Sequence, residues 1–247
     1  MIEFFCFLFG SVIFSFAGVC IDRIPKGEDI VHGRSHCDSC GTDIQAYDLI
    51  PVVSFILLRG RCRNCGAKIP VYCLILEILG GILAILCYRL NGLTVNTIIS
   101  FLICFVLVVI AFIDQFTTDI YTSTVIALGI FCLIYRVIND IDIVNLLLSM
   151  FVISGFMFVV SMIIKGAFGI GDVELMFMTG LFLSFEEMLL AFFVGVLTAG
   201  ITGIILLSRK QKEGSDHIAF GPFLVIGILI AYFFGKSIIS WYFGLFI

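Results

Sequence analysis

Four regularly spaced cysteines are the first residues in this 247-residue sequence that could do chemistry. They form two CxxC pairs, Cys37 with Cys40 and Cys62 with Cys65, and a glycine directly follows each pair. Four thiolates in this pattern can surround a Zn²⁺ ion tetrahedrally, and the glycine lets the backbone turn so that its N–H groups approach the sulfurs. Because four cysteines leave no coordination position open, the sequence predicts a structural zinc site.

Two disulfide bonds are the alternative for these cysteines, and they would require an oxidising compartment. The polar segment 22–70 that carries them is too small to fold on a hydrophobic core alone, so metal binding is the natural source of its folding energy. His36 could replace a thiolate, but four cysteines already complete the shell. The other six cysteines lie in or beside apolar segments and are interpreted as small buried hydrophobic residues.

Two aspartates beside apolar segments form the second candidate site. Asp114 ends one such segment, and Asp172 begins another in the sequence Gly169-Ile-Gly171-Asp172. Ionisable side chains at membrane depth are costly and are therefore functional candidates. Two carboxyl groups in a low-dielectric site share a proton, so one can act as a base on water while the other acts as an acid. The glycines allow a tight turn and the close approach of a substrate backbone. The pattern indicates peptide hydrolysis without a covalent intermediate.

Each acidic residue also has a structural interpretation. Aspartate is favoured at helix N-termini, so Asp172 and Asp119 could instead cap the helices that follow them. Glu77 lies about two turns into its apolar segment, where two roles are open, pairing with an arginine or facing the site. For Glu174, a solvated carboxylate near the membrane interface is the simpler interpretation.

Composition indicates which elements must position these residues. The chain is 61% hydrophobic and only 13% charged, which excludes an ordinary soluble globule. A net charge of -4 without a long basic run gives no support to nucleic acid as a partner. The prediction is an all-α polytopic membrane protein with about eight transmembrane helices and a zinc-ribbon-like loop between the first two. The apolar segments cover 2–21, 71–88, 97–113, 120–138, 143–164, 173–185, 188–207 and 219–239.

Lysines and arginines predict the orientation, since positively charged loops stay in the cytoplasm. When the loop 22–70 is placed in the cytoplasm, the cytoplasmic loops together hold 11 of the 14 basic residues, and both termini lie outside. The reducing cytoplasm then argues against the disulfides. The first segment begins with Glu3 rather than with basic residues, so it is expected to be a retained helix and not a signal peptide. The loops expected inside are 22–70, 114–119, 165–172 and 208–218.

Several separated motifs together resemble the type IV prepilin peptidases, also called leader peptidase/N-methyltransferases, over nearly the whole chain. The cysteine loop resembles that family's tetracysteine domain in order and spacing, and Glu77 falls where the family has a glutamate. The other matching motifs are Gly10-Ser11 through Ser15-Phe16 to Asp22-Arg23-Ile24-Pro25, the two aspartate motifs, and Phe220-Gly221-Pro222.

This resemblance implies an aspartic peptidase of the bacterial inner membrane that cuts prepilins and pseudopilins after a glycine, at the end of a short cytoplasmic leader. Asp114 and Asp172 match the family's catalytic pair, with Gly169, Gly171 and Glu77 in support. Many members then methylate the new N-terminus with S-adenosylmethionine, an activity associated with the tetracysteine part. The sequence contains no dinucleotide-type glycine loop, so it assigns no residue to the S-adenosylmethionine pocket.

Three positions depart from the family pattern. Tyr121 stands where proline is usual, and Glu174 where lysine is common, but both carboxylates are intact and peptidase activity is expected. Gly18 stands where asparagine is frequent, beside the part linked to methylation.

The expected organisation is a first transmembrane helix over 1–21, a cytoplasmic zinc-binding domain over 22–70 and a membrane peptidase domain over 71–247. The alternative function is a proton- or cation-coupled transporter with a zinc-binding regulatory loop. It would require acidic residues near mid-span and paired repeats, and the sequence has neither. A membrane anchor without catalytic activity would leave the two aspartates unexplained.

Overall fold

The computed structural model describes residues 1–33, 35–139, 142–164, 166–208 and 219–245. This part of the chain is helical, with one turn of 3₁₀ helix at Ala46–Leu49 and two isolated β-bridges. The predicted all-α class is thus confirmed. In chain order the described α-helices are α1 Ile2–Arg23, α2 Val53–Leu57, α3 Val71–Asn91, α4 Val95–Thr117, α5 Thr122–Ile138, α6 Ile143–Ile163, α7 Ile170–Thr179, α8 Phe185–Ser208 and α9 Gly221–Gly244.

Six of these helices are long and apolar enough to cross a membrane, namely α1, α3, α4, α6, α8 and α9. The chain is therefore a multi-pass membrane protein. Helix α5 has 17 residues and α7 has 10, so each of the eight predicted segments contains a helix. At about 1.5 Å per residue, α7 covers only about half of a hydrocarbon core of about 30 Å. Whether the sixth segment crosses the membrane thus stays a prediction.

Several helices continue beyond the apolar segments that predict them. Helix α4 runs to Thr117, so Asp114 lies within its last turn rather than at its end. The backbone N–H of Thr118 still donates to the carbonyl of Asp114 at 2.7 Å. Hydropathy marks only the apolar part of a helix, whereas backbone hydrogen bonding carries the helix on into polar residues.

Contacts within the chain group it into two compact units, Met1–Phe101 and Leu102–Ile247. This grouping reflects which residues pack together, whereas the expected division at residues 21 and 70 separates the polar cysteine loop from the apolar segments on either side. That division stays a prediction.

The first unit is built on an antiparallel pair, α1 and α3. Gly10 faces the backbone of Gly80 so closely that a Cβ on either glycine would clash with the opposite helix. Small residues at such crossings let membrane helices approach each other. At one end of the pair, Arg89 Nε donates to Glu3 Oε1 at 2.7 Å.

The second unit packs by the same device. Gly227 of α9 lies against the backbone of Ala191 in α8, and Gly180, just after α7, lies against the backbone of Met150 in α6. Helix α7 is held between α5 and α6, with Leu175 fully buried. A short helix that carries a candidate residue is therefore fixed by its neighbours on both sides.

Candidate active site and metal centre

The four loop cysteines converge as the spacing predicts. The sulfurs of Cys37, Cys40, Cys62 and Cys65 all lie within 4.8 Å of one another. The sulfurs of Cys37 and Cys65 are 3.8 Å apart. Tetrahedral zinc with Zn–S bonds of about 2.3 Å separates its sulfurs by about 3.8 Å, so this cluster has the size that such an ion requires.

Two knuckles of the same construction bring the sulfurs together. In the first, the N–H of Cys37 donates to the carbonyl of Thr42 at 3.0 Å, and in the second the N–H of Cys62 donates to that of Ala67 at 2.8 Å. A β-bridge closes each turn, His36 with Asp43 in one and Arg61 with Lys68 in the other. The glycine after each CxxC pair has a positive φ, 68° at Gly41 and 72° at Gly66, which is the turn that the sequence predicts.

Hydrogen bonds inside the knuckles favour the metal-binding thiolate form at two of the four cysteines, Cys40 and Cys62. At Cys65 the backbone N–H of Ala67 lowers the pKa, but burial and the other three thiols outweigh it and raise the pKa to about 11. Bonding to Thr42 lowers the pKa of Cys40 to about 6. The backbone N–H of Cys65 lowers the pKa of Cys62. Arg63 forms a two-point ion pair with Asp48, at 2.6 and 2.8 Å, and so ties the second knuckle to the middle of the loop.

Among the described residues of the second unit, Asp114 is one of two buried carboxylates, with 4% of its surface exposed. Its Oδ2 accepts a hydrogen bond from the backbone N–H of Gly221 at 2.8 Å. Gly221 is the first residue of α9, so the carboxylate lies at the positive end of that helix. A Cβ on Gly221 would lie only 2.7 Å from the same oxygen. Sequence reasoning noted the Phe220-Gly221-Pro222 triplet but missed this hydrogen bond.

Asp172 is the other buried carboxylate, 7% exposed, and it is the third residue of α7. Its Oδ2 accepts from the backbone N–H of Gly169, the N-cap residue, at 3.0 Å. Asp172 therefore satisfies a donor at its own helix start without being the N-cap. Asp119 does not cap the next helix, because α5 begins at Thr122 after Tyr121 as the N-cap.

Side-chain contacts bring the two carboxylates to the same end of the second unit. The rings of Phe168 and Phe220, which directly precede the motifs that hold Asp172 and Asp114, are 5.4 Å apart. Gly171 lies against Ile120, where a Cβ would be 2.7 Å from the isoleucine Cβ. Asp114 and Asp172 are therefore held by neighbouring parts of the same unit.

This arrangement suits acid–base chemistry. Each carboxyl group is fixed through one oxygen by a backbone N–H at a helix start. Two buried carboxyls that interact cannot both ionise easily, so one holds a proton while the other is a base. That pair of roles is what the hydrolysis of an amide by water requires.

Glu77 of α3 belongs to the first unit. Its Oε1 accepts from the hydroxyl of Ser15 at 3.0 Å and its Oε2 from the backbone N–H of Val52 at 2.6 Å. Among the described residues these are its hydrogen-bond partners, and neither is an arginine. Val52 has a φ of 63° and a ψ of -48°, and its neighbours close a γ-turn in which the N–H of Val53 donates to the carbonyl of Pro51. A valine with positive φ is strained, so Glu77 holds a costly turn in place.

Two family models match most of this chain. Residues 8–90 match the bacterial peptidase A24 N-terminal domain, and residues 101–204 match the type IV leader peptidase family. The first match contains the tetracysteine loop and Glu77, and the second contains both buried aspartates.

Relatives of known name match over part or nearly all of this chain. The prepilin leader peptidase/N-methyltransferase of Legionella pneumophila is 29% identical over 217 residues, which cover 85% of this chain and 76% of the relative. The protein of the same name from Bacillus subtilis is 28% identical over 240 residues, 96% of each chain. The one from Myxococcus xanthus is 39% identical over 110 residues, 44% of this chain and 33% of the relative. No solved structure matches. The transporter alternative finds no support among these matches.

Proposed function

Since this chain belongs to the type IV leader peptidase family, we propose that it is a membrane aspartic endopeptidase that removes the leaders of type IV prepilins or pseudopilins. The bond that it cuts is the one directly after a glycine, at the cytoplasmic face of the bacterial inner membrane. Methylation of the new N-terminal residue follows, as the names of the relatives indicate for those proteins.

Asp114 and Asp172 are the proposed catalytic pair. The observation that carries this assignment is that α4 and α7 bring two buried carboxyl groups to one end of the second unit, where each accepts a hydrogen bond from a backbone N–H at a helix start. One carboxylate removes a proton from water as the water attacks the carbonyl carbon of the scissile bond. The other donates its proton to the departing amine nitrogen, so the protons balance over the reaction. Gly169 and Gly221 hold the pair through their N–H groups.

The tetracysteine cluster is proposed to bind a structural Zn²⁺ ion. Its sulfur spacing and the lowered pKa of Cys40 support this assignment. Four thiolates complete the coordination, so hydrolysis falls to the aspartates.

S-adenosylmethionine is the proposed methyl donor. When bound, it supplies a methyl group that moves from its sulfonium sulfur to the lone pair of the new amine, while the sulfur keeps the bonding electrons and the nitrogen releases one proton. Methylation is a separate reaction from cleavage, so it can be lost while cleavage remains.

The proposal is tested with a prepilin that carries a Gly-Phe or Gly-Met leader junction. The substrate is incubated in membranes with the intact protein, Asp114→Asn or Asp172→Asn, with and without S-adenosylmethionine. We expect the intact protein to remove the leader and both variants to lose this activity, because each loses a titratable carboxyl with little change in shape. Gel shift and mass analysis report cleavage, and an added mass of about 14 Da reports methylation.

Glu174→Gln is the matched control, since it neutralises a nearby carboxylate in α7 outside the proposed pair. It should cleave normally. Cleavage that persists in both aspartate variants would contradict the assignment of the pair, and loss of the leader without any mass gain would remove methylation alone.

A further inference from the structure

A cavity of about 550 Å³ lies within the first unit, between α1, the tetracysteine loop and the start of α3. Its lining is largely apolar but carries several charged side chains, and for these it is named the polar cavity. This volume is in the range of pockets that hold small molecules. Six acidic and four basic residues are among those that line it, so its charge balance favours a cationic guest. Its apolar side includes Phe14 and Leu76, which are almost fully buried.

A second cavity, in the other unit, differs in chemistry. It measures about 430 Å³, and α5, α6 and α7 line it almost wholly with apolar side chains. Glu174 is its one charged lining residue. A polar, charged small molecule therefore fits the first cavity and not the second.

Two carboxylates are fixed along the wall of the polar cavity. Asp22 lies at the exposed rim of the cavity. Its carboxylate accepts a hydrogen bond from the hydroxyl of Tyr72, which is 3.0 Å from Oδ1 and 3.2 Å from Oδ2. Glu77, about one to two turns further along α1 and α3, is held by Ser15 and by the strained Val52 turn. Strain that is held in place beside a cavity is typical of a functional site.

Gly18 of α1 keeps this cavity open. A Cβ at this position would meet nothing within 4 Å, although the residue lines the cavity. Gly10 of the same helix has the opposite environment, because a Cβ there would clash with α3. Helix packing therefore explains Gly10 and not Gly18.

We infer that this cavity is the binding site of the methyl donor, with the sulfonium against the carboxylates of Asp22 and Glu77 and the adenine ring against the apolar side. The inference rests on the methylation that the proposed function includes. It extends that function by naming a site. A sulfonium is a positive charge with an apolar coat, which suits a wall that combines carboxylates with Phe14.

Gly18→Leu tests this inference, because Gly18 lines the cavity and a Cβ there meets nothing within 4 Å, so the added side chain would occupy cavity space. Binding of S-adenosylmethionine to the purified full-length protein is measured by equilibrium dialysis. We expect Gly18→Leu to weaken binding at least about tenfold. The matched control is Gly200→Leu in α8, where a Cβ also meets nothing within 4 Å, and its binding should be unchanged. Leader cleavage by Gly18→Leu should persist, which checks that it folds.

Asp22→Asn provides a second readout that does not depend on filling the cavity. The amide keeps the shape of the carboxylate but not its charge. It should weaken binding of S-adenosylmethionine more than binding of S-adenosylhomocysteine, whose sulfur is neutral. An equal effect on the two ligands would contradict the contact with the sulfonium.

The remaining outcomes separate the inference from the function on which it rests. If the intact protein binds no S-adenosylmethionine, methylation is wrong and the inference falls with it, while cleavage stands. If the intact protein binds it and Gly18→Leu binds equally well, methylation stands and the site lies elsewhere.

Discussion

At position 221, a methyl group would lie 2.7 Å from Oδ2 of Asp114. We predict that Gly221→Ala lowers the rate of leader cleavage by about 100-fold, because displacement of a catalytic group by about 1 Å costs that much. The measurement is the initial cleavage rate at equal protein amounts. Gly244→Ala in the same helix adds the same methyl group where it meets nothing within 4 Å, so its rate should match the wild type. Equal rates for the two variants would contradict the role of Gly221.

Individual residues could be predicted from the sequence when their chemistry shows in their type. Asp114 and Asp172 stand out because carboxylates beside apolar segments are rare. Gly221 could not be found in this way, since its contribution is a backbone N–H and the absence of a side chain. The same holds for Val52, whose strained φ depends on an acceptor 25 positions away in the sequence.

At the scale of secondary structure, the γ-turn at Val52 is stabilised by a side chain from a different element, Glu77 of α3. We predict that Glu77→Ala speeds hydrogen exchange of the Val52 amide by about tenfold or more, because that amide loses a charged acceptor. Exchange is read by mass spectrometry on peptides that cover residues 49–57. Glu77→Gln keeps an acceptor oxygen, so its exchange rate at Val52 should lie between those of the wild type and Glu77→Ala. Unchanged exchange in Glu77→Ala would show that the turn holds itself.

The two knuckles also predict how metal binding depends on pH. Hydrogen bonding lowers the pKa of Cys40 to about 6, so its metal-free thiolate is present above that pH and is lost as the pH falls through it. Protons compete with the metal for thiolates. We therefore expect bound zinc, measured by elemental analysis after dialysis, to stay near one per chain at pH 7.5 and to be lost as the pH is lowered.

Cys62→Ser and Cys6→Ser are the controls for the zinc measurement. The first removes one of the four clustered sulfurs and should lose zinc at pH 7.5. The second changes a cysteine of α1 outside the cluster and should keep it. Full zinc content in Cys62→Ser would contradict the four-cysteine site.

The approximate positions of the eight apolar helices were predictable, since hydropathy reports directly on apolar runs. Their ends were not, because α4 carries on through polar residues to Thr117. The brevity of α7 was only hinted at by a short apolar segment. Its end at Thr179 depends on packing against α5 and α6, which no local pattern records.

For the whole molecule, the distribution of positive charge predicts the orientation. We expect an epitope tag inserted after Gly92, between α3 and α4, to be digested when protease is added to spheroplasts. A tag inserted after Gly27, at the start of the cysteine loop, should be protected until the membrane is opened. The reverse pattern would contradict the orientation and with it the cytoplasmic placement of the aspartates.

The family as a whole could be inferred from separated motifs, because the spacing of the cysteines and the GxGD sequence survive as patterns in the chain. The polar cavity of the first unit could not, since its walls come from α1, α3 and the loop between them. Enclosed space depends on how elements pack. In the sequence Gly18 only departs from the family's frequent asparagine, whereas the fold places it in the wall of this cavity.

The repeated knuckle has a consequence for how the protein matures. Each knuckle is closed by hydrogen bonds between residues only four to nine positions apart, so both turns can form quickly and independently as the chain is synthesised. Joining them links cysteines 25 positions apart, and the metal supplies the free energy for that slower closure. In a chain made under zinc starvation the two half-sites would thus stay apart, and metal added later would join them without a new round of synthesis.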